Sequence, residues 1–298
     1  MDDTTTQRIG IALALLAALL WGVSGAIAAD AFSAVPPTRV AEARALLAAL
    51  VIVPVAWWRG KLAPQGKLAW FALLGVNLAA VNITFYWALD RLGVGPGATI
   101  QFLGPIMVLG WMAAVQHRTV GKIAWIAAIL AITGVGLVTR AWELGGSDWV
   151  GVAAGLVSAV TFASYLLLGE HLGRHLPAVT VMAWGFVFAA AFWAVVQPYW
   201  GFPTSLSGRL WWEVIWVGIG GTAIPFLIEF AALRRAASGI VGVVATAEPV
   251  IGAAAAWMLL DQRLGAIQII GGLMVVVAVA SIQRWGLPAR EAPFEAAR

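Results

Sequence analysis

The stretch that decides the fold runs from residue 88 to residue 140 and reads ALDRLGVGPGATIQFLGPIMVLGWMAAVQHRTVGKIAWIAAILAITGVGLVTR. When it is shifted by 144 positions, it aligns with residues 232–284: turn and loop residues are identical at several positions, and the apolar segments fall in the same places. The coinciding pairs include Arg91 and Arg235, Gly95 and Gly239, Pro105 and Pro249, and Gly121 and Gly265. A shift of 141 positions pairs Gly10 with Gly151 and Pro36 with Pro177. The repetition predicts two homologous halves, residues 1–145 and 146–298.

Composition indicates a membrane protein. Of 298 residues, 62% are hydrophobic and only 11% are charged, far from the balance of a soluble domain. The 17 Trp against three Tyr suit many helix ends at a membrane–water interface. The absence of cysteine excludes disulfides, thiolate metal sites and cysteine nucleophiles. The net charge of +4 is spread over segment ends, so we expect no nucleic-acid partner.

Apolar segments divide the chain into ten predicted transmembrane spans, five in each half, because a hydrocarbon core of about 30 Å needs about 20 residues per helix. The first is interpreted as a retained helix and not a signal peptide. The short connections leave no room for a soluble domain, so the predicted partners are the lipid bilayer and a small molecule. The spans are 9–29, 38–58, 68–89, 95–115, 120–139, 149–169, 178–198, 211–233, 239–260 and 264–284.

The distribution of basic residues predicts the orientation. Of the 18 Lys and Arg residues, 12 fall on the side of the N-terminus and four on the other, with Arg39 and Arg44 at or inside the second span. By the positive-inside rule, both termini are expected to be cytoplasmic, in the cell (inner) membrane. The oligomeric state stays open, with a monomer among the alternatives.

An odd number of spans per half has a consequence for topology. The second copy must enter the membrane from the opposite face, so we expect two inverted five-helix repeats around a central cavity. This architecture is typical of secondary transporters, which bind substrate near the midplane between the repeats. The predicted class is therefore an all-α integral membrane carrier that works by alternating access.

Motif residues at matching positions carry a family resemblance. They are Trp21-Gly22 late in the first span, Pro36-Pro37 before the second, Arg44 within it, and Pro105 and Pro249 midway along the fourth helix of each half. In these residues the chain resembles the EamA-type carriers of the drug/metabolite transporter superfamily, and among them it is most similar to the YddG-type bacterial aromatic amino-acid exporters. The resemblance implies a ten-helix inner-membrane exporter of amino acids without a cofactor. Where such carriers usually have acidic residues, at the ends of the fourth helices, this chain has His117 and Asp261.

Polar residues at bilayer depth are the candidate binding groups, because they are costly there and usually face a cavity or a partner. Glu248 falls near the middle of its span, directly before Pro249, and Gln101 lies four residues before Pro105. Each proline disrupts its helix, and interrupted helices at matching places in two halves point to a transport site. For Glu248, the alternative is a structural pair with Arg44. Pro105 and Pro249 are assigned a gating or structural role.

Other charged residues allow two interpretations. Arg44 can bind a substrate carboxylate through its fork of donors, but we favour a structural pair with Glu42 or Glu248. Glu229, about one turn from Arg234, is expected to form a solvated, gating or structural pair at the inner mouth. Glu213 begins the eighth span and is expected to be interfacial.

Aromatic and small polar side chains complete the predicted cavity wall. Under the 141-residue shift, the first-span pair Trp21 and Ser24 matches the sixth-span pair Phe162 and Tyr165, so these side chains can form opposite walls. Ordinary helix packing or interface anchoring is the alternative. The remaining predicted substrate-binding residues are Asn82 and Tyr86, which share a helix face, and Trp184; Asn77 is expected to link helices.

The sequence therefore predicts an exporter of small amphipathic metabolites, above all aromatic or neutral amino acids. Alternatives are an exporter of nucleosides or cationic toxins on the same fold, and a membrane-embedded enzyme. An enzyme is disfavoured because no nucleophile–base set or metal cluster is evident; His171 and His175 have metal-pair spacing but are expected in a solvated loop. The sequence contains no Walker-type Gly-rich phosphate loop, so we do not expect direct ATP hydrolysis. Export down a substrate gradient and export driven by protons through Glu248 both stay open.

Overall fold

The computed structural model shows an all-helical protein: over the described part of the chain there is no β-strand. The description covers residues 3–27, 31, 34–92, 94–142, 148–259 and 263–285. The expected boundary between the halves, at residues 145 and 146, and Asp261 lie outside these ranges.

Thirteen α-helices in these ranges build ten crossings, which confirms the predicted number. Nine crossings are at least 18 residues long and apolar, and the tenth, α6, has 17 residues. The helices are α1 (Asp3–Ile27), α2 (Pro37–Trp58), α3 (Leu68–Leu92), α4 (Val94–Gln101), α5 (Gly104–Ala114), α6 (Lys122–Val138), α7 (Trp149–Gly173), α8 (Ala178–Val196), α9 (Gly208–Gly218), α10 (Ile224–Leu233), α11 (Ser238–Ala245), α12 (Ala247–Leu259) and α13 (Ala266–Trp285).

Successive crossings run in opposite directions between two ends of the bundle. We call the end at which α1 begins the N-terminal face, and the other end the far face. At the N-terminal face Gly10 packs against Ala236, just after α10. At the far face Gly151, at the start of α7, packs against Leu92 at the end of α3. The first crossing of the second half therefore starts at the far face, opposite to α1, as an inverted repeat requires.

The fourth crossing of each half is broken at equivalent positions. Phe102 and Leu103 separate α4 from α5, and Thr246 separates α11 from α12; position 102 shifted by 144 is position 246. A proline follows each break, because its ring removes a hydrogen-bond donor and clashes with the preceding turn. The predicted interruptions at Pro105 and Pro249 are thus present.

The eighth crossing contains a third irregularity that was not predicted. Between α9 and α10, residues Ile219–Ala223 form one turn of π-helix, and the Thr222 hydroxyl donates to the Val217 carbonyl five residues earlier. Such a wide turn inserts one residue into a helix and often marks a functional site. It lies beside α2 and therefore next to Arg44.

Close helix contacts depend on small residues. A Cβ at Gly22 of α1 would lie 2.8 Å from the Glu248 carbonyl oxygen, so α1 passes directly beside the break before α12. Asn77 of α3 donates to the Thr161 carbonyl of α7 at 2.9 Å, which confirms its expected role as a link between helices. These contacts hold helices of both halves around the space described next.

Candidate functional site

A cavity lies between the two halves of the bundle. Its wall is formed by α1, α2, α3 and the first break on one side, and by α7, α10 and α12 on the other. The cavity volume is about 100 Å³, enough for several water molecules or one small metabolite.

Aromatic rings make most of the apolar wall. The ring of Phe226 is at the centre: it meets Trp21 edge-on at 5.1 Å and Tyr165 edge-on at 5.6 Å between centroids. Phe162 stacks near Tyr165 at 6.5 Å. The structure thus brings together the expected wall residues Trp21, Phe162 and Tyr165, and adds Phe226, Phe85 and Phe102, which had not been singled out.

Arg44 provides the positive charge of the cavity and does not form the expected structural pair. Its Nε donates to the Thr222 hydroxyl at 2.8 Å, and its Nη1 donates to the Tyr86 hydroxyl at 2.9 Å and, at 3.4 Å, to the Asn82 side-chain oxygen. These neutral acceptors orient the guanidinium without cancelling its charge. The predicted pair with Glu42 is wrong because Glu42 bonds Arg39 instead, at 2.8 Å.

Glu229 is in the cavity wall and not in a solvated mouth. The residue is only 1% exposed, and one carboxylate oxygen accepts a 2.7 Å hydrogen bond from the Tyr165 hydroxyl. The expected partner Arg234 points elsewhere: its Nε donates to the Gly173 carbonyl. The reason is the face on which Glu229 lies, since this part of α10 packs against α7.

Glu248 and Gln101 flank the two helix breaks and both line the cavity. Glu248 is in the first turn of α12, where the positive end of the helix dipole favours a carboxylate. Gln101 ends α4, and its amide donates to the Ser158 hydroxyl at 2.9 Å. The two polar residues at the breaks therefore face the same space from opposite halves.

Three expected substrate-binding residues lie outside the cavity wall. Ser24 is 4% exposed and packs against Gly221, and Tyr86 is 6% exposed behind Arg44. Trp184 is near the N-terminal face, where its indole nitrogen donates to the Leu62 carbonyl. Ser24 and Tyr86 therefore support the wall from behind, while Trp184 anchors the loop before α3.

A second cluster of charges links the two halves at the N-terminal face. Glu170 of α7 accepts hydrogen bonds from Arg118 at 2.9 Å, from Arg174 at 2.7 Å and from the Ser238 backbone nitrogen at 2.7 Å. Arg118 follows α5 in the first half, so the cluster ties the halves together. The contacts with Arg118 and Ser238 could not be predicted from the sequence, because these residues are 52 and 68 positions from Glu170.

The nearby histidines do not form a metal site. His171 lies in the last turn of α7 and not in the expected loop; its ring is 6.2 Å from that of His175. Over the described ranges, no group of three His, Cys, Asp or Glu residues is placed to hold a metal ion.

At the far face, Glu213 is buried near the start of α9. It is 2% exposed, and it accepts hydrogen bonds from the Ala31 nitrogen at 2.8 Å and from Arg209 at 3.1 Å.

Two groups between crossings have shifted pKa values. The backbone hydrogen bond from Gly151, helped by Arg91, lowers the pKa of Asp148. Burial, with the charge of Glu42, raises the pKa of Tyr199 to about 12.

An all-helical bundle with two matching, oppositely inserted halves around a polar-tipped cavity defines a multi-pass membrane carrier. The chain belongs to the EamA-like transporter family. That family's model matches twice, over residues 8–140 and 149–283, once per half. The resemblance to the EamA-type carriers is thereby confirmed.

Relatives and a solved structure cover nearly the whole chain. The threonine/homoserine exporter RhtA of Escherichia coli (strain K12) is 26% identical over 282 residues, covering 92% of this chain and 90% of that protein. The uncharacterized transporter YvbV of Bacillus subtilis (strain 168) is 25% identical over 290 residues, covering 93% and 92%. A solved crystal structure has a TM-score of 0.79 at 20% identity, covering 94% of this chain and 96% of that chain, which bears on the fold alone.

Proposed function

We propose that this chain is a secondary transporter that exports neutral amino acids, aromatic ones among them, across the cell membrane. The observation that carries the proposal is one cavity, shared by both halves, in which Arg44 faces two acidic residues, Glu229 and Glu248, across aromatic walls. The relatives named as threonine/homoserine exporters support the same substrate class.

The charges of the cavity suit a zwitterion. An α-amino acid carries a carboxylate, which the planar guanidinium of Arg44 can bind through two donors. It also carries an ammonium group, which a carboxylate can accept. Binding both ends is favourable only where water is excluded and each charge meets its opposite, and this is what separates an amino acid from a purely cationic or anionic metabolite.

The aromatic walls and the volume set the side chain that fits. Phe226, Trp21 and Phe162 offer flat apolar surfaces to a neutral side chain. A space of about 100 Å³ holds a compact amino acid such as threonine, while an aromatic one requires the cavity to widen.

Transport by alternating access follows from the two repeats. Two inverted halves can rock against each other around a fixed site, so that the cavity opens first to one face and then to the other. The Glu170 cluster joins the halves at the N-terminal face, and we infer from it a state closed on that side. With the positive-inside rule, that face is the cytoplasmic one.

A reconstitution experiment tests the proposal. Purified full-length chain in proteoliposomes is loaded with unlabelled threonine, homoserine, methionine or phenylalanine, and exchange with the labelled amino acid outside is measured. We expect exchange at least tenfold faster than in protein-free vesicles. Arg44→Lys is the matched variant: it keeps the charge but loses the planar fork, and we expect it to lower the exchange rate.

Two results would contradict the proposal. If nucleosides or cationic drugs exchange and amino acids do not, the substrate class is wrong although the carrier remains. If no solute exchanges at any loading, the carrier function itself is wrong.

A further inference from the structure

We propose that Glu229, positioned by Tyr165, is the acceptor of the substrate's α-ammonium group and so fixes how the amino acid lies in the cavity. The inference rests on the proposed function. It goes beyond it by assigning the amine-specific contact to one carboxylate of the two in the wall.

The first argument is an unused oxygen. One oxygen of the Glu229 carboxylate is bonded by Tyr165 at 2.7 Å; the other oxygen is buried and has no hydrogen-bond partner. A buried acceptor without a donor is costly and rare. Both residues line the cavity, so a bound molecule is the natural source of the missing donor.

The second argument concerns charge. Within the described ranges the ion pairs do not include Glu229, and the two arginines at the end of α10 donate to backbone carbonyls: Arg234 to Gly173 and Arg235 to Ala231. A buried carboxylate without a cation is strongly disfavoured. An ammonium group supplies both the charge and the donor, whereas a hydroxyl supplies only the donor.

The third argument separates Glu229 from Glu248. Glu248 lies in the first turn of α12, where the helix dipole compensates a negative charge. Glu229 lies about one turn before Leu233, the last residue of α10, and the negative end of the dipole there adds to its need for a cation. Of the two acids, Glu229 therefore gains more from binding an amine.

The fourth argument is the spacing from Arg44. Its partner Thr222 and Glu229 are seven residues apart in one crossing, a rise of about 10 Å. A zwitterion adds about 3 Å between its nitrogen and its carboxylate, and hydrogen bonds of about 2.9 Å extend it at both ends. Because Arg44 and Glu229 line the same cavity, one amino acid can contact both, with its carboxylate at Arg44 and its ammonium at Glu229.

The test compares an amino acid with the same molecule lacking the amine. Binding to the purified full chain is measured as the ligand-dependent shift of thermal unfolding, using threonine against 3-hydroxybutyrate and phenylalanine against 3-phenylpropionate. For the wild type, we expect at least tenfold tighter binding of the amino acid. Glu229→Gln keeps the size of the side chain and a partner for Tyr165, and we expect amino-acid affinity to fall about ten- to hundred-fold while the deaminated analogue binds as before.

Control variants distinguish the possible failures. Glu248→Gln keeps the preference for the amine, whatever it does to the transport rate. Tyr165→Phe keeps the charge of Glu229 but removes the hydrogen bond that orients its carboxylate, so the preference for the amino acid over its deaminated analogue falls by a few-fold. This variant also tests the proposal if Glu229→Gln does not fold. The assignment is overturned if both Glu229→Gln and Tyr165→Phe retain the full preference, or if they weaken both ligands equally. If the wild type neither binds nor exchanges any amino acid, the proposed function has failed first.

Discussion

Replacing Glu170 by glutamine is predicted to loosen the closure at the N-terminal face. Its carboxylate is 3% exposed and holds Arg118, Arg174 and the Ser238 nitrogen together. Glutamine keeps an acceptor but loses the charge. Because the first half contributes Arg118 and the second half contributes Glu170 and Ser238, the loss weakens a contact that must break when the halves part on this side.

The magnitude follows from the bonds involved. A hydrogen bond to a charged group contributes about 1.5–3 kcal/mol and a neutral one about 1 kcal/mol. Only the bond to Arg118 joins the two halves, so losing the charge there costs about 1 kcal/mol in the closed state. The Arg174 pair adds little because the arginine side chain is 37% exposed. A difference of about 1 kcal/mol shifts the balance between closed and open states about fivefold.

The assay uses the absence of cysteine in the wild type. Met112 of α5 is 2% exposed and lies at the seam, with its sulfur 4.0 Å from the Ser238 hydroxyl. A single Met112→Cys probe is labelled with a small maleimide applied from the N-terminal face. We expect Glu170→Gln to raise the labelling rate about fivefold.

The matched control is Arg174→Gln, which removes an exposed pair within the second half and so leaves labelling nearly unchanged. Equal labelling rates in the two variants, both at the background rate, would refute the view that Glu170 closes this face.

Four further predictions concern single positions. Arg44→Lys lowers apparent substrate affinity at least tenfold, because an ammonium cannot reproduce the fork; exchange at several concentrations measures this. Glu248→Gln changes the rate of transport or its pH dependence with folding intact, and unaltered transport at every pH would remove Glu248 from the mechanism. Gly75→Ala destabilises by about 2 kcal/mol, since its Cβ would meet neighbouring atoms, whereas Gly110→Ala, with nothing within 4 Å, is neutral in thermal unfolding. The pKa of Asp148 is lowered in the folded protein, so its carboxylate stabilises the fold at pH values above the pKa of the unfolded chain. This stabilisation is lost as the pH falls through the pKa of the folded protein. The midpoint of thermal unfolding of Asp148→Asn should therefore approach that of the wild type only at acidic pH.

The crossings and two of the breaks were predictable from the sequence because their causes are local. About twenty apolar residues span a bilayer wherever they occur, and Pro105 and Pro249 disrupt any helix that contains them. The recurrence at a fixed shift then fixed the number of helices per half. None of these inferences needed to know which helices touch.

The partners of the charged residues were not predictable, because they depend on contacts between distant segments. We predicted an ion pair of Glu229 with Arg234 because the two residues are close in the sequence. We predicted a pair of Arg44 with Glu42 because they belong to the same span. In the folded chain Glu229 meets Tyr165, 64 positions away, and Arg44 meets Thr222, 178 positions away. The one available signal was the run Gly220-Gly221-Thr222 followed by Pro225, which indicates irregular backbone in the eighth crossing.

The π-helical turn in the eighth crossing determines the direction of the side chains that follow it in the helix. A wide turn of Ile219–Ala223 adds one residue to the helix, and each residue of an α-helix advances its direction by about 100°. Had the crossing continued as regular helix, Glu229 would aim about a quarter-turn away from Tyr165, and the cavity would lose one of its two carboxylates. The direction of the Glu229 side chain thus depends on a single inserted residue about two turns earlier in the crossing, in a part of the backbone that carries no charge of its own.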